Sequence, residues 1–127
     1  MISFKEVDKT FFELYDKVDM KVKVHSEYKA KRIDNGLGGI LFEEVPVESF
    51  VKDLGNYQRA TEYEKEFDIT NCRFYMAFDG DIPVGAMTVV GTTEGMDMLC
   101  GRNDACILWD IRVSDTYKRK GIGQELF

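Results

Sequence analysis

The residues best able to do chemistry lie together in 107–127: Ile107-Leu-Trp-Asp-Ile-Arg-Val113, Ser114-Asp-Thr-Tyr117, Lys118-Arg-Lys-Gly-Ile-Gly123 and Gln124-Glu-Leu-Phe127. An apolar strand runs into a basic, glycine-containing loop, and the loop opens a helix. At a helix start the first amides have no internal partner, and the macrodipole places partial positive charge there. Glycines at 121 and 123 remove side chains that would hold an anion off those amides. Lys118, Arg119 and Lys120 surround the same spot with mobile positive charge. The arrangement suits a phosphate or pyrophosphate. Other phosphate motifs fail on spacing. A dinucleotide fingerprint would need glycine at 126, where this chain has Leu126, and no P-loop pattern occurs anywhere.

Other chemistries find little support. His25 is the single histidine, which excludes a multi-histidine metal site, and its place in an alternating strand reads as surface. Cys72, Cys100 and Cys106 are odd in number and contain no Cys-x-x-Cys, the usage of reduced thiols in a cytoplasmic protein. Lys and Arg number 17 against 23 Asp and Glu, a formal charge of −6. That balance argues against nucleic acid, whose binders need a basic face, and suits a cationic small molecule or peptide better. No apolar run approaches the ~20 residues of a membrane helix, and the N-terminus lacks the pattern of a signal peptide.

The elements that must position these residues follow from periodicity. With 44% apolar residues the chain of 127 residues can bury a core and reads as one domain, residues 1–127. Thr10 to Glu13 has capping-box spacing, and Phe11, Leu14 and Val18 follow at helical intervals. Met20 to Ile33 alternates as a strand, Asp34-Asn-Gly36 signals a turn, and 39–45 returns as a second strand that Pro46 should stop. Phe50, Val51 and Leu54 predict a helical turn closed by Gly55. A helix is expected over 56–67, with Tyr57, Ala60, Tyr63 and Phe67 on its apolar face. Cys72 to Phe78 and Pro83 to Val90 form a hairpin about Asp79-Gly-Asp81, and 91–104 is a polar loop. The strand over 105–113, a turn at 114–116 and a helix from Gly121 complete an α+β order, with hairpins first and one strand–helix unit last. Strict alternation puts Leu108, Asp110 and Arg112 on one face of that strand. Ile107, Trp109, Ile111 and Val113 take the other, with Trp109 read as core.

The loop resembles the acetyl-CoA signature of the GNAT superfamily of N-acetyltransferases, a strand ending in Val followed by Gln/Arg-x-x-Gly-x-Gly/Ala. Lys118, Gly121 and Gly123 stand at the motif positions, Lys replacing Gln or Arg with its charge kept. The Asp110-Ile-x-Val113 run is similar to the streptothricin-acetyltransferase-like branch, and the hairpin 74–86 resembles the strands that precede the cofactor strand. The likeness is clearest over 72–127. It implies the N-terminal portion of a GNAT acyl-CoA N-acyltransferase fold, a mixed, mostly antiparallel sheet with flanking helices, in a domain lacking its C-terminal part.

The resemblance also implies roles. Backbone groups of Ile111 and Val113 would pair with the pantetheine arm. The amides of Arg119, Lys120, Gly121, Ile122, Gly123 and Gln124 would hold the pyrophosphate, with Lys118 beside them. Acetyl-CoA would be the donor, with no metal, and the acceptor a primary amine of a small molecule or peptide. Family members often carry an acidic residue on the cofactor strand, so Asp110 is the candidate base, with an ion pair to Arg112 as its alternative role. The branch often has Glu just before this Asp, where this chain has Trp109. A second copy of the chain or a complementing C-terminal segment is expected to cover the open strand. The competing expectation is a non-catalytic acyl-CoA-binding module, or an inactive fragment of such an enzyme.

Overall fold

The structure, a computed structural model, describes residues 1–127. Two compact units are present, one formed by 1–20 with 55–127 and the other by 21–54.

The larger unit is built on a four-stranded sheet of β1 (Ile2–Val7), β4 (Cys72–Asp79), β5 (Ile82–Val90) and β6 (Ile107–Val113), in the order β1-β4-β5-β6. Every pairing is antiparallel. The Asp79-Gly-Asp81 turn closes β4 onto β5 as expected, with Gly80 at φ +59° supplying the left-handed residue. β1 is a strand the sequence reading did not foresee. Most of its residues are exposed and only Val7 is buried, so its alternation is weak, and pairing with β4 holds it in place.

Short helices cover both faces. On one, α1 (Phe12–Asp16) and α2 (Tyr63–Glu66) meet β4 and β5 around Phe12, Tyr15, Val18, Tyr63, Phe74 and Met76, all buried. Edge-to-face rings bind this layer, with Phe12 centroids 4.8 Å from Phe74 and 5.9 Å from Tyr63. On the other face, α3 (Ile122–Leu126) sets Ile122 and Leu126 against Ala77, Val84 and Met87. Gly85 makes that approach possible. A Cβ there would lie 3.0 Å from Ile122 Cγ2, 3.1 Å from Leu126 Cδ1 and 3.3 Å from Ala77 Cβ.

Three helix expectations are corrected. The first helix is capped by Asp8, whose carboxylate accepts from the Thr10 amide at 2.9 Å, and it opens with a 3-10 turn over Lys9–Phe11. That tighter turn shifts the phase, so Phe12, Tyr15 and Val18 are buried while Phe11 and Leu14 are only partly so. The helix expected over 56–67 is reduced to a 3-10 turn at Ala60–Glu62 and the single turn of α2, with Ala60 and Tyr63 buried. The helical turn expected at 50–54 is strand up to Asp53, followed by a 3-10 turn at Leu54–Asn56.

The smaller unit is one antiparallel ribbon, β2 (Lys21–Arg32) with β3 (Ile40–Asp53). Asp34, Asn35 and Gly36 all take positive φ at its turn, as the sequence signalled. Pro46 does not end β3. It pairs opposite Ser26 where the register slips, since Val24 faces Phe50 and Ser26 faces Pro46. Proline is tolerated at irregularities and on edge strands, and both strands of this two-stranded ribbon are edges. His25 is exposed, with Nδ1 3.1 Å from Ser49 Oγ, and Glu43 and Glu44 meet Lys31 and Ser26. None of these residues forms a catalytic grouping.

Candidate active site

β6 and α3 bring the predicted residues into one strand–loop–helix. β6 pairs with β5 through Gly85–Val113 and Met87–Ile111, and it is the last strand of the sheet, so its other edge carries no partner strand. Ile111 and Val113 are half-buried against the α3 layer. The chain then turns through Asp115–Tyr117, with the Ser114 amide tied to the Val84 carbonyl at 2.9 Å. Lys118, Arg119 and Lys120 follow, all exposed, and Arg119 takes φ +62°.

Gly121 caps α3 at φ +82°, a left-handed conformation that costs other residues roughly 1–2 kcal/mol. A Cβ at Gly121 would meet nothing within 4 Å, so the backbone conformation, and not crowding within the chain, selects glycine. α3 has no side-chain cap, and its first hydrogen bond runs from the Glu125 amide to the Gly121 carbonyl at 3.0 Å. The amides of Ile122, Gly123 and Gln124 precede that bond in the first turn, where a helix has no internal partner for them. Tyr117 anchors the loop from below. Its hydroxyl donates to Asp79 at 2.8 Å, and the Lys120 ammonium lies 5.1 Å from its ring centroid. This bond holds the Asp79 carboxyl below its ordinary range and pushes the Tyr117 phenol up.

A profile of the Acetyltransferase (GNAT) family matches residues 41–127, more than half of the chain. The chain belongs to the GNAT acetyltransferase family. No curated protein matches it. Among solved structures it is similar to a nourseothricin acetyltransferase, with TM-score 0.64 and 17% identity, over 98% of this chain and 61% of that one. It is also similar to a protein described as a streptothricin acetyltransferase from Bacillus anthracis strain Ames, solved in complex with acetyl coenzyme A. There the TM-score is 0.59 and the identity 16%, over 99% of this chain and 64% of the other. The chain therefore spans about three-fifths of the length of these structures. The α+β, mostly antiparallel GNAT fold expected from the sequence is the fold found, and one neighbour bears the name of the branch that 110–113 resemble.

Within this GNAT sheet Asp110 sits four residues before Ser114, about 13 Å along the strand from the loop. Its side chain is 15% exposed and forms an ion pair with the buried Arg112, Nε to Oδ2 at 2.8 Å. The same Oδ2 accepts from the Tyr15 hydroxyl at 2.9 Å. Sequence reasoning missed Tyr15 because its partner lies 95 residues away.

Trp109 departs from strict alternation. The β5–β6 register slips between Thr88–Asp110 and Val89–Leu108, leaving Trp109 in a bulge. It therefore packs on the α1–α2 side, the side from which Tyr15 reaches Asp110, and not with Ile111 and Val113. Its ring is 5.4 Å from Phe67, and Nε1 donates to Gln58 Oε1 at 2.7 Å. The tryptophan is thus fixed packing. Cys72, Cys100 and Cys106 are free thiols, no cluster of metal-ligating side chains occurs, and no helix is long and apolar enough to cross a membrane.

Proposed function

We propose that this chain serves N-acetyl transfer from acetyl-CoA to a primary amine of a small molecule or peptide, with a cytoplasmic setting fitting its three free thiols. The observation that carries the reading is the uncapped, left-handed Gly121 start of α3 beside Lys118, Arg119 and Lys120, at the end of the open-edged strand β6. In this reading the amides from Arg119 to Gln124 take the pyrophosphate. The pantetheine arm lies along β6 beside Ile111 and Val113, which carries the thioester toward Asp110. The neutral amine attacks the thioester carbonyl carbon, and CoA leaves as thiolate. The protein supplies orientation and a place for the proton the amine must lose.

Asp110 is the acceptor proposed for that proton. Tyr15 is unsuited to it, because burial and then the charge of Asp110 push its phenol far above neutrality, keeping it a hydrogen-bond donor. The free edge of β6 is where a further strand, from a C-terminal segment or a second copy, would complete the cofactor slot.

The test is release of free thiol that requires both acetyl-CoA and an amine, across streptothricin, lysine and a lysine-containing peptide. Asp110→Asn is expected to lower turnover about 10²-fold with acetyl-CoA affinity kept. No thiol release above the uncatalysed rate with any amine would leave a binding module instead. The 2.8 Å contact to Arg112 favours a second role for Asp110, that of counter-ion. On that reading the variant would lose thermal stability and keep its turnover per folded molecule.

A further inference from the structure

A polar cluster lies buried where α1 crosses the sheet, and the cofactor loop makes no use of it. Tyr15 comes from α1, Thr88 from β5, and Asp110 and Arg112 from β6. Tyr15 and Thr88 are fully buried and Arg112 is 5% exposed. The Tyr15 hydroxyl is 2.7 Å from Thr88 Oγ1 and 2.9 Å from Asp110 Oδ2. Tyr63 of α2 adds a third buried hydroxyl, with its ring 6.4 Å from that of Tyr15.

The bonds in this cluster have a direction. A carboxylate only accepts, and the Tyr15 hydroxyl has one hydrogen, so Tyr15 donates to Asp110 and Thr88 donates to Tyr15. Arg112 donates to the same oxygen, Oδ2, and its guanidinium lies 5.0 Å from the centroid of the Tyr15 ring. Two donors from different elements thus grip one oxygen, and Oδ1 belongs to neither bond. A counter-ion for Arg112 would need only the arginine contact. A buried ion pair is in general weak evidence of a stabilising role, because desolvation offsets much of its attraction. The second donor fixes orientation.

We propose that Tyr15 is a positioning residue for acetyl transfer: reaching from α1, it locks the Asp110 carboxylate so that Oδ1 is presented to the acceptor amine. This rests on the base role proposed for Asp110. It makes α1 part of the catalytic apparatus.

The test is a double-mutant cycle of Tyr15→Phe and Asp110→Asn, measured with the fastest amine of the panel on protein shown to be folded by its melting transition. Tyr15→Phe keeps the ring and removes only the donor. It should lower kcat about tenfold, with the KM for acetyl-CoA unchanged. In the Asp110→Asn background the same substitution should cost nothing further, because no base remains to be oriented. An equal loss in both backgrounds, or no loss in either, would overturn the proposal while leaving the base role standing. Full activity of Asp110→Asn alone would remove the base role and this inference together. Thr88→Val, which takes away the donor behind Tyr15, supplies a second reading if Tyr15→Phe folds poorly. It should produce a smaller loss of the same kind, absent with Asp110→Asn, and a loss persisting there would overturn the proposal.

Discussion

Cys72 shows how neighbours decide the reactivity of a side chain whose sequence context says little. Burial, with a smaller contribution from the charge of Asp68, pushes its thiol up to about 11, whereas Cys100 and Cys106 are exposed. At pH 8 about one Cys72 in a thousand is then thiolate, the reactive form. Iodoacetamide at that pH should modify Cys100 and Cys106 first, with Cys72 following only as the pH rises toward 11; mass spectrometry of the digested protein checks the order. Asp110 shows the same principle for the candidate site. In sequence it was a carboxylate on an apolar strand with two open roles. The structure adds Tyr15, whose partner Asp110 lies 95 residues away in the chain. The loop residues were legible because they are contiguous and their chemistry is local. The Tyr15–Thr88–Asp110 cluster was not, because it exists only once three distant elements pack.

Among the elements, those with local turn signals were readable. Asp79-Gly-Asp81 and Asp34-Asn-Gly36 each joined two strands as their residue types require. Elements decided by tertiary pairing were less so. β1 is held by β4, Pro46 is absorbed at an irregularity in the ribbon, and the apolar spacing of 56–67 produces only short turns. The seating of α3 on the sheet is also tertiary, and it depends on the missing side chain at Gly85. Gly85→Val should push Ile122 and Leu126 outward and destabilise the unit by about 1–3 kcal/mol, the usual cost of overpacking. Urea denaturation with circular dichroism measures this. Because α3 carries the Gly121 start, the same variant should also weaken CoA binding, although position 85 lies on β5, outside the loop.

At the scale of the whole molecule, family membership and fold agree, and the chain spans about three-fifths of its solved neighbours. The acidic balance of −6 coexists with a local run of three cations at 118–120, which offers a polyanion local attraction at the loop. We propose that this loop, through its backbone, binds the pyrophosphate of CoA. Its most direct test is titration calorimetry of CoA into the wild-type chain, Lys118→Ala and Gly121→Asp. Wild type should bind, and Lys118→Ala should lose about 1–2 kcal/mol, as for one charge-assisted contact. Gly121→Asp should lose more, because it strains a left-handed residue and sets a carboxylate where the phosphates would lie. Equal CoA affinity in wild type and Gly121→Asp would contradict the account.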